Sequence, residues 1–131
     1  MINKLEKQEI LKGYHLVVMF VGSHRCGYLG LPKGHKLEGK EYDDIDVSVH
    51  GGLTFAEFSP SFQLTGFDYY IGFDCMHCDD ASDIESMKRY GATPKEIERW
   101  EIFQGEVRTQ EYVLNELHDL VEQLIKHEVS K

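Results

Sequence analysis

The sequence is poor in the features that place a protein quickly. It has three cysteines, Cys26, Cys75 and Cys78. An odd count leaves no complete disulfide framework, and in a reducing compartment clustered thiols point to metal or reactivity instead. There is no internal repeat, no low-complexity stretch and no linker, so a single domain over residues 1–131 is expected. Long hydrophobic runs are missing as well. The cleanest, Leu16 to Val21, has six residues, against the roughly 20 that cross a bilayer. The opening MINKLEKQEI is charged throughout and lacks the apolar centre of a secretory signal. No membrane partner is therefore expected, and the cytoplasm is the expected compartment.

Positive charge is the other scarcity, and it is unevenly spread. Residues 1–40 carry seven Lys and Arg against three Asp and Glu, a net +4, whereas residues 41–131 carry seven against twenty, a net −13. Phosphate backbones repel such a protein, which argues against direct nucleic-acid binding. A basic surface on another protein would attract it. Solubility alone is an equally simple reason for the acidity.

What is present suits an ordinary core. Hydrophobic residues make up 41% and aromatics 11% of the chain, which argues against extensive disorder. Residues 2–12 read as a short amphipathic helix stopped by Gly13. The β-branched run YHLVVMFV (14–21) reads as a strand covered on both faces. RCGYLGL (25–31) reads as a second strand, ended by Pro32.

IDVSVH (45–50) alternates strictly, with Ile45, Val47 and Val49 on one side and His50 on the polar side. Gly51-Gly52 then turns it into LTFAEF (53–58) as a hairpin. DYYIGFDC (68–75) is a further strand, with Tyr69, Ile71, Phe73 and Cys75 sharing a face.

The remainder reads as helical. Ser82 with Glu85, and Thr93-Pro94 with Glu96, are capping boxes, and Gly91 and Gly105 close the two helices. A last helix from about 109 to 127 carries a wide apolar stripe of Val113, Leu117, Leu120 and Leu124, flanked by Leu114, Val121 and Ile125. The expected class is α+β, an antiparallel sheet of four to five strands with C-terminal helices packed on one side. Trp100 and Phe103, at helical spacing, are expected in the core.

IGFDCMHCDD (71–80) carries the densest chemistry. Zinc prefers thiolate and imidazole, so Cys75 with His77, or Cys75 with Cys78 as a C-x-x-C knuckle, offers local chelation. No second C-x-x-C completes the double knuckle. Distant ligands are needed: His50 first, then His35, with Cys26 and His24 near a strand start. Taken singly, Cys75 is more simply a small buried hydrophobe and His77 a loop residue.

Asp74, Asp79 and Asp80 could act as acid or base or fix an imidazole tautomer, and Asp79 and Asp80, preceding a helix, could merely favour its N-terminus. A Cys75 or Cys78 nucleophile would need His50 or His77 beside it. Lys33-Gly34-His35 could hold a phosphate in a backbone nest, although turns explain the glycines more simply.

The stretches GYLGLPKGH, YDDI, VHGGLT and IGFDCMH resemble a family of small phage and prophage proteins of unsettled function, over residues 27 to 80. Three departures stand out: Lys36 in place of a proline, Tyr69-Tyr70 in place of a tryptophan pair, and Cys78-Asp79-Asp80 in place of small residues around an acid. The last favours Cys75 with His77 over the C-x-x-C pair. The resemblance also raises His35 and His50 as ligands, since both fall inside shared stretches.

It implies an inhibitor of host defence, including the anti-CRISPR kind. An acidic domain stapled by zinc would occupy the positively charged channel of an RNA-guided nuclease, or a basic domain beside it. On this expectation His35, His50, Cys75 and His77 hold a structural zinc, with Cys78 and Cys26 in reserve, and Asp43, Asp44, Glu98 and Glu101 face the partner. Two alternatives remain: a small zinc-dependent hydrolase or nucleotide-processing enzyme using Asp74 or Asp79 as base, and a binder of a nucleotide signal built on Lys33.

Overall fold

The computed structural model describes residues 2–60 and 62–129. The chain opens with β1 (Asn3–Leu11), β2 (Tyr14–Val21) and β3 (His24–Leu31), and continues through a short 3-10 turn (Tyr42–Asp44) to β4 (Phe55–Phe58) and β5 (Tyr69–Asp74). These five strands form one antiparallel sheet in the order β1-β2-β3-β5-β4. Next come β6 (Asp80–Ala81), α1 (Ile84–Arg89), α2 (Pro94–Trp100), β7 (Glu106–Val107) and the long α3 (Gln110–Val129). β6 and β7 pair in parallel as a small second sheet. The fold is α+β, with the C-terminal helix packed against a five-stranded antiparallel sheet. Among the described residues no helix is long and apolar enough to cross a membrane.

The expected helix over 2–12 is instead the edge strand β1. Lys12 and Gly13, at φ 50 and 86, turn it directly into β2. Positive φ at both central residues suits the twist of a two-residue hairpin. The register slips between Leu5 and Lys7, so the alternation changes phase halfway along and does not show in the sequence.

Residues 45–50 keep the expected inward side but do not form a strand. Ile45 is buried and Val47 and Val49 pack on the core. The backbone of Ser48 is matched by a side chain rather than a strand, with its N–H donating to Gln123 Oε1 and its carbonyl accepting from Gln123 Nε2. β4 therefore pairs with β5, not with 45–50.

The main core lies between the sheet and α3. Leu16, Val18, Leu29, Ile71 and Phe73 meet Val113, Leu117, Leu120, Val121 and Leu124, so the apolar stripe read from the sequence is the buried face of α3. Three mid-strand glycines serve this packing rather than turns. Across neighbouring strands Gly27 faces Phe73, Gly30 faces Tyr70 and Gly72 faces Tyr28. A Cβ on each would come within 2.7 Å of the facing ring. The aromatic rings lie over the gaps that the glycines leave.

The other face of the sheet carries His15, Val17, Met19, Tyr28 and Tyr70. It is partly roofed by Phe62 and Phe67 from the β4–β5 connection. His15 is buried there and fully engaged. Its Nε2–H donates to Gln8 Oε1 at 2.9 Å, and Nδ1 accepts from the Tyr70 hydroxyl. Burial pushes its pKa down.

Three further expectations shift. The N-cap of α1 is Asp83, not Ser82, because Asp83 accepts from the Ser86 N–H and also receives Arg25. The capping box at Thr93 and Glu96 is present, but α2 buries no residue. Trp100 stacks on Phe103, which is exposed, so the pair is outside the core. Gly105 does not close α2, which is capped at Glu101. At φ 141 it passes the Asp79 carbonyl, which a Cβ would strike at 2.1 Å, and thereby admits the β6–β7 pairing.

Candidate functional site

Two of the stretches singled out in the sequence meet at one end of the sheet. Gly51, at φ 70, lies so close to the His77 ring that a Cβ would fall 2.1 Å from Nε2. The rings of His50 and His77 stand 5.7 Å apart, centre to centre. Cys75 follows β5 directly and is buried, its N–H donating to the Arg25 carbonyl.

The centre of this cluster is Asp80. Its side chain is 1% exposed and accepts from His50 Nε2–H at 2.8 Å, from Arg108 Nε at 2.8 Å and from the His77 backbone N–H at 3.0 Å. With Nε2 donating, a neutral His50 accepts at Nδ1 from the Tyr112 hydroxyl, 2.8 Å away. Burial alone would raise the Asp80 pKa, but Arg108, His50 and the His77 amide outweigh it, and the carboxyl stays below its ordinary value. Asp80 thus joins the 45–52 segment, the β5–β6 connection and the start of α3. The sequence offered it as an orienter of an imidazole; Arg108 and Tyr112 gave no such signal, because one charged residue and one tyrosine near a helix start are commonplace.

A second carboxylate stands alongside. Asp74 accepts from Thr54 Oγ1 and from the Met76 N–H, each at 3.1 Å, and lies 3.4 Å from His77 Nε2. Beside Asp80 opens a cleft of about 230 Å3 whose lining includes His24, Cys75, His77, Cys78 and Asp80. Burial lowers the His24 pKa, partly countered by Asp74 and Asp80. The Cys75 thiol is pushed far up, first by burial and then by nearby Asp80, Cys26 and Asp74. Burial takes Cys26 up to about 11. All three thiols are free, and Cys78 alone is exposed.

The structure therefore gathers His50, Cys75, His77 and Cys78 at one end, with Cys26 on the adjacent strand. It does not bring His35 to them. Leu31 pairs with Tyr69 and Cys26 with Asp74, so His35, beyond Leu31, and Cys75, beyond Asp74, are separated by the length of β5, about 20 Å. His35 is engaged at its own end, accepting from the Leu37 N–H and pairing with the Tyr14 hydroxyl at 2.9 Å. Among the described residues no three His, Cys, Asp or Glu side chains are grouped to hold a metal ion.

The Lys33 nest is filled by the chain itself: the Gly34 N–H donates to Glu38 Oε2 at 2.9 Å, and Lys33 faces Asp68 at 3.8 Å. Asp43, Asp44, Glu98 and Glu101 are all exposed. Asp43 and Asp44 sit beside Lys40, whose carbonyl accepts from Tyr69, whereas α2 follows α1 at the His24 end. The two acidic pairs therefore lie toward opposite ends of the sheet.

No protein-family model, curated protein or solved structure matches the chain. Fold and site define a class on their own terms: an α+β protein built on a five-stranded antiparallel sheet, with a histidine–carboxylate cluster at one strand end.

Proposed function

We propose that this protein is an acidic, phage-encoded binding protein that inhibits a host defence system of the anti-CRISPR kind. It works in the host cytoplasm by occupying a basic surface of a protein such as an RNA-guided nuclease, so that nucleic acid is excluded. One contrast carries this reading. The groups at the centre of the cluster, His50, Asp80 and Cys75, are engaged or silenced within the fold, while the carboxylates that can meet a partner stand in solvent. Both His50 nitrogens are bonded, Asp80 is saturated, and Cys75 is held as a neutral thiol, whereas Asp43, Asp44, Glu98 and Glu101 are exposed. Nuclease channels that hold guide–target duplexes are positively charged, and complementary charge sets both attraction and orientation.

Zinc belongs to the proposal at the cleft. Cys75, His77 and Cys78 supply the sulfur and nitrogen donors that zinc favours, with His50 next to His77. Closing a site there requires His77 to leave Asp74 and both the Cys75 and Cys78 thiols to ionise, Cys75 against the burial that holds it neutral; the ion would fasten the β5–β6 connection. Equimolar zinc in elemental analysis of the purified protein, lost in Cys78→Ser and His77→Ala, supports this; metal-free protein with an unchanged melting point removes zinc from the reading.

The binding reading has its own test. Purified protein is mixed with an RNA-guided nuclease, and DNA binding by the nuclease is measured at low and high salt. Inhibition that weakens with salt, and weakens further when Asp43, Asp44, Glu98 and Glu101 are replaced by amides, is expected. Failure to bind any basic effector at low salt overturns the reading.

A further inference from the structure

The face of the sheet opposite α3 is only partly roofed, and its uncovered portion has an unusual composition. Two cavities, of about 400 and 300 Å3, lie on either side of the Tyr28 and Phe55 rings and share both as walls. Tyr28 is the ring laid over Gly72. It meets Phe55 edge-on at 5.0 Å and Phe62 at 4.6 Å between centres. Asp74 lines the first cavity and Glu57 the second. Both carboxylates are close enough to Tyr28 to help raise its hydroxyl pKa, after burial, which contributes most. Among the described residues neither cavity is lined by a lysine or arginine. Exposed apolar side chains, Leu5 and Ile10 on β1, extend the same face.

Each of these features selects against an anion and for a cation. A phosphate would meet a carboxylate in either cavity and no lysine or arginine. A guanidinium can stack flat on an aromatic ring while its N–H fork donates to a carboxylate at the rim. An ammonium is more strongly hydrated and makes poorer use of a stacking wall.

We propose that the Tyr28–Phe55 groove is a docking site for an arginine side chain of a basic protein partner, with the guanidinium laid against the aromatic wall and Asp74 or Glu57 receiving its N–H groups. This rests on the binding reading above and adds the partner's chemistry: an arginine-bearing segment laid across the open face. The occupant is identified by charge complementarity, since the groove has acids at both ends, apolar walls and no cation of its own.

The test uses two short synthetic peptides, one of alternating glycine and arginine and one with every arginine replaced by citrulline, which keeps the shape and removes the charge. Each is titrated into isotope-labelled full-length protein, and amide shifts are followed. The arginine peptide is expected to move the signals of Tyr28, Phe55, Glu57 and Asp74, and the citrulline peptide to leave them in place. Tyr28→Leu and Glu57→Gln should each weaken the arginine peptide about threefold, with the remaining spectrum confirming the fold. Equal shifts from both peptides, or shifts indifferent to Tyr28→Leu and Glu57→Gln, overturn the assignment. The two proposals fail separately. Nuclease inhibition that survives groove substitutions but is lost on neutralising the exposed acids removes the groove alone. Arginine binding in the groove by a protein that inhibits no nuclease removes the inhibitor reading alone.

Discussion

Asp80 and Arg108 face each other at 2.8 Å, with the carboxylate almost wholly buried and the guanidinium 17% exposed. Through His50 and the His77 amide the same carboxylate reaches two further segments. Replacing Asp80 with Asn keeps the shape but leaves Arg108 to the exposed Glu106 alongside it, 2.8 Å away. A loss of about 3 kcal/mol in urea unfolding is expected, near the lower end for breaking a buried ion pair. The pH dependence has a defined sign. The folded Asp80 pKa lies below its unfolded value of about 3.9. Its stabilisation is therefore complete above that value and fades as pH falls through the folded pKa. Asp80→Asn should lack this part of the acid limb.

His15 gives the opposite kind of titration. Burial holds its pKa below the ordinary 6.5, so the unfolded chain takes up the proton first. Stability should be unaffected above about pH 6.5 and fall below it. Substituting Gln for His15 should flatten the unfolding midpoint between neutral pH and the carboxylate range, while costing about 1–3 kcal/mol at neutral pH through the buried Tyr70 hydroxyl, which loses the ring nitrogen it donates to.

The thiols should separate by accessibility. Cys78 is exposed, whereas Cys26 and Cys75 are buried with raised pKa values. One equivalent of an aromatic disulfide reagent is expected to react quickly, at Cys78, and the other two only after denaturant is added. Fast reaction at Cys75 in the folded protein would contradict the neutral, enclosed thiol.

Gly27→Ala isolates a steric effect, because a Cβ there would stand 2.7 Å from the Phe73 ring and 3.0 Å from Val113. Overpacking should cost about 1–3 kcal/mol. Combining it with Phe73→Leu should cost less than the sum of the two single changes, as measured by unfolding midpoints, because the smaller side chain vacates the contested space.

Much of the frame was legible because its signals are local. The β-branched, almost wholly apolar run of 14–21 reads as a covered strand, and the stripe from Val113 to Leu124 reads as one buried face of a helix. β1 escaped because the irregularity between Leu5 and Lys7 erases its period. The 45–50 segment misled because inward alternation reports burial, not the identity of the backbone's partner, and that partner is Gln123. Within the site, the approach of His50 to the Cys75–His77 stretch was foreseeable from the polar side of 45–50 and its two glycines. Asp80 as hub was not: its partner Arg108 lies 28 positions away, and charge pairing over that distance leaves no pattern in the chain. His35 was drawn in by its neighbours in sequence, whereas sheet geometry places it at the far end.

The glycine–aromatic pairs have a consequence for how the sheet finds its alignment. Gly27, Gly30 and Gly72 each leave a notch that accepts one ring from the neighbouring strand. Sliding β3 against β5 by a single position would drive three rings into occupied space at once and turn every side chain to the wrong surface. Misaligned sheets are thus rejected by shape before hydrogen bonding can stabilise them, and the notches act as a proofreading code for strand assembly.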